Sequence, residues 1–587
     1  MMALRRSRIA LHALLLLLVI GGSAARAADN PQIGVEVQGV SGDLLKNVLA
    51  YLSIQTYHDN TNLTQSLVDR LNARAPEEIR KALEPFGYYD AKVVSDLTET
   101  AAGWNARYVI TPGTPVLVRK VDIQLSGDGK NDEAFKDYLD KLPLKSGDQL
   151  NQPIYENIKQ QLQELAAHQG YIDARFTDSV LRVDPPHHWA DIEIHFATGP
   201  RYYFGEVTFV QDFMQTSFLN RYVTFKPGDP YDASRLLGLQ YALGDSDYFG
   251  SVDVQILRKQ AGPDRRIPIR ITLTPRKRNR YSLGLGYGTD TGPRTTLVWE
   301  NRRLNGLGHR FSTQLQYSRI LESAQINYLV PLSNPAWQQL RYSLGSTRQL
   351  LGDGIAYSTT LGINRNTVLG AWGENQYLNL ERDRSALSTG TTVTTLLVPG
   401  LTFNRSVSDN PIYPTRGYRA SLDVRGSSRN LRSDISFLQL HLSSKLIVSF
   451  NETTRLLLRG EIGATAVNNF DALPLSQRFY TGGDQTVRGY KYNSIGPRDS
   501  SGNLIGGKDL LVGSMEVDHR FGPVFGVAAF VDAGNVTNSF QTSLEKGVGV
   551  GLRWRTPVGM VRFDLAHPIK RPDLGWVYIH ISIGPDL

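Results

Sequence analysis

From Tyr281 onward the sequence alternates apolar and polar positions in short runs separated by Gly, Asn, Asp and Pro, with no convincing helical pattern. The alternation is clear near the C-terminus, where one face would carry Val577, Ile579, Ile581 and Ile583. Beyond the N-terminal segment, no uncharged apolar stretch approaches the roughly 18 residues typical of a membrane-spanning helix. Alternation in segments of about 9 to 11 residues is typical of transmembrane barrel strands. Residues 276–587 therefore predict a transmembrane antiparallel β-barrel of about 16 strands.

The composition favours the same fold, with 54 Gly, 27 Tyr, 21 Phe and 7 Trp among 587 residues. Barrel strands that place aromatic side chains toward lipid and small residues toward a lumen have this composition. A large soluble β-protein is the alternative on composition alone. The sequence contains no cysteine, which excludes a disulfide framework, a thiolate metal site and a lipid-modified cysteine.

Residues 1–27 have the features of a secretory signal peptide. A basic start precedes an apolar run at 9–20, and Ala25 and Ala27 lie before the predicted cleavage site. About a dozen apolar residues are too few for a membrane anchor, which needs roughly 20. Cleavage would remove four arginines and no acid, which lowers the formal charge from +8 to +4 and argues against nucleic-acid binding.

The segment between the signal peptide and the barrel repeats at intervals of about 80 residues. A Lys-x-Gly-Asp sequence at Lys145 recurs at Lys226, and each copy precedes an amphipathic helical pattern. A Gly-Tyr pair at Tyr88 recurs at Tyr171, and Tyr248 occupies the third equivalent position. We expect these tyrosines to pack at a corner between helix and strand. The repeats predict three α+β modules of one strand, two helices and two strands, at residues 28–113, 114–200 and 201–275.

Short sheets of this kind leave an unpaired edge. An extended segment of another protein could add to that edge as an extra strand, so the modules predict a recruiting role. The basic stretch at 276–280 joins the modules to the barrel. It has two open interpretations, a solvated linker or a basic collar near acidic lipid headgroups.

Arg488 and Asp532 are the most informative charged residues of the predicted barrel. Period-two alternation places Phe530, Asp532 and Gly534 on one strand face, with small apolar residues on the other, so the acid is expected to face the lumen. Arg488 lies in a glycine-flanked loop that could fold back inside. A guanidinium and a carboxylate can pair in a bidentate manner, so these two residues predict an internal latch that holds the loop.

The first and last barrel strands must pair for the barrel to close. In the first, Leu283, Leu285 and Tyr287 alternate with Ser282, Gly284 and Gly286. The last presents Val577, Ile579 and Ile581 on one face and Trp576, Tyr578, His580 and Ser582 on the other. The glycines weaken the first strand, so this junction is the predicted lateral seam, where the wall is expected to open most readily.

Several motifs follow one another in the order of a known family. A loop signature is formed by Gly482, Gly483 and residues 487–490 (Val-Arg-Gly-Tyr), and its strand partner by Phe530, Asp532 and Gly534. A mid-barrel turn lies at 414–417, and a penultimate hairpin contains Gly547, Gly549, Gly551, Arg553, Thr556, Pro557, Gly559, Arg562, Asp564 and Pro568. In these motifs the chain resembles the outer-membrane assembly and polypeptide-transport superfamily of BamA, TamA and the two-partner-secretion transporters. The resemblance implies that the modules are POTRA domains and that Arg488, Gly489, Tyr490, Phe530, Asp532 and Gly534 form the loop latch.

Within the superfamily, three modules and this chain length resemble the TamA branch. BamA would carry five modules, and two-partner transporters usually carry two with an N-terminal plug helix. The resemblance implies a protein of the Gram-negative outer membrane with its POTRA modules in the periplasm. It also implies insertion of unfolded β-barrel clients such as autotransporters, together with an inner-membrane-anchored, TamB-like partner docked on the first module. A two-partner polypeptide secretion pore and phospholipid transport with the same partner are the alternatives.

The sequence does not favour an enzyme. Residues 502–508 fit G-x-x-x-x-G-K, but Asp509 replaces the Ser or Thr that would bind magnesium. His187 and His188 could bind a metal, yet their Pro-rich surroundings favour a solvated turn. We therefore expect no catalytic residues, no cofactor and no metal site.

Overall fold

The computed structural model describes residues 32–57, 63–100, 103–539, 543–557, 559–569 and 577–584. The predicted signal peptide, Trp576 and residues 585–587 lie outside these ranges. The chain forms two compact units. One comprises the described residues up to Gly205 together with Pro227–Ser234 and Arg258–Ile267; the other comprises Glu206–Lys226, Arg235–Leu257 and the described residues from Pro268.

The N-terminal half contains nine strands and seven α-helices among the described residues. The strands are β1 (Gln32–Gln38), β2 (Lys92–Thr100), β3 (Gly103–Thr111), β4 (Leu117–Ser126), β5 (Arg175–Asp184), β6 (Trp189–Ala197), β7 (Tyr203–Val210), β8 (Phe249–Ile256) and β9 (Arg266–Pro275). The helices are α1 (Gly42–Tyr51), α2 (Ser53–Thr56), α3 (Gln65–Leu83), α4 (Glu133–Asp140), α5 (Gln152–Gln169), α6 (Thr216–Leu219) and α7 (Ala233–Gly244).

These elements form three small sheets of one topology, β1-β3-β2, β4-β6-β5 and β7-β9-β8. In the first two sheets the central strand runs parallel to the first strand of its module and antiparallel to the other. Each sheet keeps two edge strands. None of the described helices is long and apolar enough to cross a bilayer.

The second module shows how local sequence positions a core. The Asn151 side chain accepts a hydrogen bond from the backbone N–H of Ile154 and caps the start of α5, and Gly170 ends the helix with a left-handed φ of 87°. One face of α5 is buried through Tyr155, Ile158, Leu162 and Ala166, a spacing of three and four residues. The helix is therefore held against its sheet by an apolar stripe between two capped ends.

Tyr171 lies buried just beyond α5, at the helix-to-strand corner. Its ring meets Phe135 edge to face with centroids 5.6 Å apart, and its hydroxyl donates to Asp132 at 2.9 Å. Burial, reinforced by the hydrogen bond to the Asp132 carboxylate, raises the pKa of Tyr171 to about 12. The tyrosine therefore stays neutral and donates at physiological pH.

Sixteen strands close the barrel. They are β10 (Asn279–Gly288), β11 (Gly292–Asn301), β12 (Arg310–Tyr317), β13 (Leu321–Pro331), β14 (Gln338–Leu351), β15 (Gly354–Leu369), β16 (Trp372–Leu387), β17 (Gly390–Ser408), β18 (Gly417–Ser427), β19 (Phe437–Ser449), β20 (Thr454–Val467), β21 (Asp509–Phe521), β22 (Phe525–Thr537), β23 (Glu545–Thr556), β24 (Gly559–Ile569) and β25 (Tyr578–Gly584). Neighbours in the chain are antiparallel throughout, and β25 returns to β10. Sixteen antiparallel strands behind three α+β modules confirm the predicted fold class.

We call the barrel end where β10 begins the proximal end and the opposite end the distal end. Within the second unit, residues of the third module contact proximal turns of the barrel. Arg221 donates to the carbonyl oxygens of Pro331 and Leu332 at 3.0 Å each. Asp247 pairs with Arg276 and accepts from Nε of Arg302 at 2.8 Å. These charged contacts fix part of the module to the barrel base.

Candidate functional site

The loop between β20 and β21, residues 468–508, starts and ends at the distal end of the barrel. It has internal order from isolated β-bridges that pair Phe479 with Gly507 and Thr481 with Ile495. An apolar cluster packs the loop against strand side chains and comprises Phe479, Val487, Tyr490, Ile495, Leu510, Val512 and Val536. We call this segment the lumen loop, because its buried residues lie among inward-facing side chains of the barrel wall.

Arg488 is the centre of the site and is 2% exposed. Its Nε and Nη2 donate to the two carboxylate oxygens of Asp532 at 2.8 and 3.0 Å, and its backbone N–H donates to the same group at 3.0 Å. Nη1 donates to Glu516 at 2.6 Å and to Asp564 at 3.0 Å. One guanidinium therefore joins β21, β22 and β24, with a bidentate pair at its core.

Further cations complete the network. Arg553 on β23 donates to Glu516 at 2.7 Å and also to Asp564. Arg459 on β20 lies 3.7 Å from Asp532. Arg553 also lies 3.5 Å from Asp518, which pairs with Arg455 on β20 at 2.8 Å. Four arginines and four carboxylates thus form this network inside the barrel. Such a network is costly to break, because removing one partner leaves an uncompensated buried charge.

The ring of Phe530 packs against the guanidinium of Arg488. Cζ of Arg488 lies 3.4 Å from the ring centroid, a cation–π contact. On the next strand, a Cβ at Gly549 would collide with the Phe530 ring, and one at Gly547 would overlap the carbonyl oxygen of Arg488. Glycine at 547 and 549 is therefore what lets the loop backbone and the ring approach the wall.

Gly489 and Tyr490 carry the loop onward from Arg488. Gly489 has a left-handed φ of 92°, which favours glycine, and its N–H donates to Nε2 of His580 at 3.0 Å. The hydroxyl of Tyr490 donates to Glu545 at 2.8 Å. A Cβ at Gly534 would lie 2.9 Å from a methyl group of Val487, so this glycine also makes room for the loop. The structure therefore brings all six predicted latch residues together.

Asp484, near the tip of the lumen loop, contacts both sides of the seam. Its carboxylate accepts from the Thr289 hydroxyl at 3.1 Å, just beyond β10, and also bonds Nδ1 of His580 on β25. The Asp484 N–H donates to Asp290 at 2.7 Å. Because Nε2 of His580 accepts from Gly489, its proton must lie on Nδ1 and point at Asp484. One loop residue therefore joins the first hairpin to the last strand.

Strand pairing at the seam is short. Along its whole length β10 pairs with β11, but with the described part of β25, which ends at Gly584, it shares only the position where Gly288 faces Ser582. Two further contacts extend this junction, from Thr289 N–H to the Ile581 carbonyl at 3.1 Å and from Ile581 N–H to the Thr289 hydroxyl at 3.2 Å.

The predicted seam residues are mostly exposed on the outer wall. Leu283, Leu285, Tyr287, Val577 and Ile579 are exposed, and Ile581 is partly exposed. Leu285 is 75% exposed. Between its proximal end and Gly288, the edge of β10 therefore carries backbone groups that have no ladder partner in the described part of β25.

Three side chains with potential metal-ligand atoms meet at this junction. Ligand atoms of Asp290, Asp484 and His580 lie within 4.8 Å of one another. Both imidazole nitrogens already have hydrogen-bond partners, however, so a metal at Nδ1 would have to displace a proton and the bond to Asp484. The geometry is that of a hydrogen-bonded clasp.

Several residues of this site were not predicted from the sequence, among them Thr289, Arg459, Asp484, Glu516, Arg553, Asp564 and His580. A signal existed for Glu516, because Ser514, Glu516 and Asp518 alternate with Met515 and Val517 along β21 and so share the inward face. Asp564 and Arg553 lie in the hairpin that resembles the family's. Nothing in the sequence around them indicates that they join the Arg488 network. Residues 502–508 lie in the lumen loop. The side chain of His187 forms a hydrogen bond with Asp184 at 3.0 Å within its own turn.

Comparisons with known proteins agree with this architecture. A model of the Omp85 superfamily domain matches residues 278–584. A model of the TamA-type first POTRA domain matches 34–112, and a POTRA model described as surface antigen variable number repeat matches 202–276.

Two of the similar proteins are named outer membrane protein assembly factor BamA. BamA of Nitratidesulfovibrio vulgaris is 26% identical over 58% of this chain and 45% of its own length. BamA of Neisseria meningitidis serogroup B is 20% identical over 85% of this chain and 70% of its own. The match thus spans less than half of the first relative. The crystal structure of BamA from Haemophilus ducreyi lacking POTRA domains 1–3 has the same fold, with a TM-score of 0.63, 16% identity, and coverage of 79% of this chain and 99% of that one.

Proposed function

The chain belongs to the Omp85 superfamily, and on that premise we propose that it assembles other β-barrel proteins into the outer membrane through the seam between β10 and β25. The barrel would lie in a Gram-negative outer membrane with the POTRA modules in the periplasm, after export directed by residues 1–27. The relatives named as assembly factors support this proposal.

One observation carries the proposal. Among the residues that the structure describes, all other neighbouring barrel strands are joined by extended ladders, whereas β10 and the described part of β25 share one register pair, at the distal end of β10. Unpaired strand groups in hydrocarbon cost several kcal/mol each, roughly, so this edge has a strong tendency to acquire a partner strand. A client's terminal strand can satisfy the edge of β10 by backbone hydrogen bonding, with no nucleotide and no covalent step.

The Arg488 network then has a structural role. It holds the lumen loop on strands β21 to β24, which lie on one side of the seam, while Asp484 reaches across to the other. The wall beside the seam stays rigid while the β10 edge parts from β25. Under this proposal the carboxylates and arginines act as a latch and not as acid–base catalysts.

We place the protein in the TamA branch, with autotransporter-like clients and an inner-membrane-anchored, TamB-like partner on the first module. The match of residues 34–112 to the TamA-type first POTRA domain supports this finer assignment. The three sheets each offer edge strands for recruitment by strand addition.

A site-specific photo-crosslink tests the proposal. The crosslinker is placed at Leu285 on the seam, at Leu361 on the outer face of β15, or at the inward-facing Ser343 of β14. During assembly of a labelled β-barrel client, we expect its terminal strand to be captured at Leu285 and not at the other two positions. Capture at Ser343 alone would instead identify a secretion pore, because the client would pass through the lumen.

A further inference from the structure

A charged band crosses the outer face of the barrel far from the seam. The strand registers place Glu322, Arg348, Tyr357 and Arg384 in one cross-strand row near the distal ends of β13 to β16. Tyr317 extends this row on β12, and Arg382 lies in the row just below. The alternating lumen positions of β16, Glu381, Asp383 and Ser385, are buried, so Arg382 and Arg384 face outward.

The two β16 arginines are unsatisfied. Both are exposed, and in the described part of the chain neither guanidinium has a hydrogen-bond or ion-pair partner. Arg348 differs, because it donates to Glu322 at 3.2 Å. The band therefore has an excess of positive charge, concentrated on β16.

Next to the charged band, on the side toward the middle of the barrel, the outer face is apolar. The next row below Arg382 contains Leu344, Leu361 and Leu380, all exposed. Rows on one face of a strand are about 7 Å apart along the chain, so Arg382 and Arg384 stand about 7 and 14 Å beyond the last leucines. Tyr317 and Tyr357 are the aromatic residues expected at such a boundary.

We infer that Arg382 and Arg384, with Arg348 and Tyr357 beside them, bind the phosphate groups of a lipid in the leaflet at the distal rim. An arginine at the edge of hydrocarbon needs a counter-charge, and guanidinium groups match phosphate oxygens in a bidentate manner. The leucine row below offers a continuous surface for the acyl chains of the same molecule. A phosphorylated glycolipid has phosphate groups for the arginines and acyl chains for the leucine row. The inference rests on the proposed orientation in the outer membrane.

Binding is measured with the full chain in phosphatidylcholine nanodiscs, titrated with diphosphoryl lipid A and followed by native mass spectrometry. Because each arginine near a charged lipid surface changes affinity about five-fold, we expect the R382Q/R384Q variant to lose about 25-fold. The matched control is R405Q. Arg405 is also an outer-face arginine, but it lies at the proximal end with Trp372 and Tyr418, at 5.8 and 5.5 Å from their ring centroids.

The inference is supported if wild type and R405Q retain the lipid, R382Q/R384Q loses it, and dephosphorylated lipid A binds weakly to all three. It is wrong if dephosphorylated lipid binds wild type equally well, or if R405Q loses as much affinity as the double variant. Retained gel-shift heat-modifiability establishes that each variant barrel is folded. Because this readout needs no client, its failure is distinct from failure of the Leu285 crosslink, which tests the proposed function.

Discussion

Asp484 in the lumen loop and His580 on the last barrel strand share a hydrogen bond whose direction is set by a third group. Gly489 N–H occupies the other imidazole nitrogen, so His580 donates from Nδ1 to the Asp484 carboxylate. The same carboxylate accepts from Thr289 beside the first strand. The latch that holds the loop and the clasp that closes the seam are therefore consecutive parts of one segment, four residues apart at Asp484 and Arg488.

Replacing Arg488 with Ala should release the lumen loop. The change removes the cation that pairs with the buried carboxylates of Glu516, Asp532 and Asp564. Loss of one partner from such a buried network lowers the free energy of unfolding by about 3 to 5 kcal/mol. We expect protease cleavage within 468–508 and reduced client insertion. Arg498→Ala is the control, since Arg498 lies on the same loop in an exposed pair with Asp353, where a loss of about 0 to 1 kcal/mol is expected. Equal protease resistance of wild type and Arg488→Ala would contradict the latch.

A disulfide across the seam should block insertion. Cysteines at Gly288 and Ser582 occupy the register pair that joins β10 to β25 among the described residues, and the chain has no cysteine of its own. Oxidation should stop client insertion and reductant should restore it. A second pair, Gly284 and Thr296, joins β10 to β11, where a Cβ at 284 would lie 3.6 Å from that of Thr296. That crosslink should leave insertion unchanged; inhibition by both crosslinks alike would refute a gating role for the seam.

Asp484→Ala should loosen the seam while leaving the Arg488 network in place. Loss of a charged acceptor of two hydrogen bonds costs about 1 to 3 kcal/mol, so we expect roughly ten-fold slower disulfide formation between cysteines at 288 and 582. Asp499→Ala is the matched control on the same loop, because the Asp499 carboxylate accepts hydrogen bonds from its close neighbours Ser501 and Asn503. An unchanged rate in Asp484→Ala would show that backbone pairing alone closes the seam.

Acid should weaken the attachment of the third module to the proximal turns. Burial would raise the pKa of Asp247, but hydrogen bonds to Arg302 and Arg276 outweigh it and hold that pKa below its usual value. A depressed carboxylate pKa gives stability that is complete above the ordinary carboxyl range, near pH 4, and that declines as the pH falls further.

Spin labels at Tyr241 and Trp337, both exposed, can report this attachment as a distance distribution. We expect a narrow distribution for wild type at neutral pH, a broad one for Asp247→Asn, and convergence of the two near pH 3. Asp253→Asn, which removes a carboxylate that bonds only Gln255 on the same strand, should stay narrow at neutral pH. A narrow distribution in Asp247→Asn would show that the Arg221 contacts alone suffice.

Much of the architecture follows from local pattern. Period-two alternation places Asp532 inward and Val577 and Ile579 outward, because successive side chains of a strand point to opposite faces. Chain length divided by the span of a membrane strand predicts about 16 strands, which the barrel has. Repeats near Lys145 and Lys226 mark the modules, since each repeat is one folding unit with its own core.

By itself, the sequence determined the face that each side chain occupies and the pairing partner expected for Arg488. Only the tertiary structure decided that Glu516 and Asp564, 28 and 76 residues away, share that guanidinium, and that Asp484 meets His580 across 96 residues. The reason is physical: alternation specifies a face but not a neighbour. Neighbours depend on strand register, on closure of the barrel and on the path of a loop through its lumen, and these are set by pairing over the whole wall.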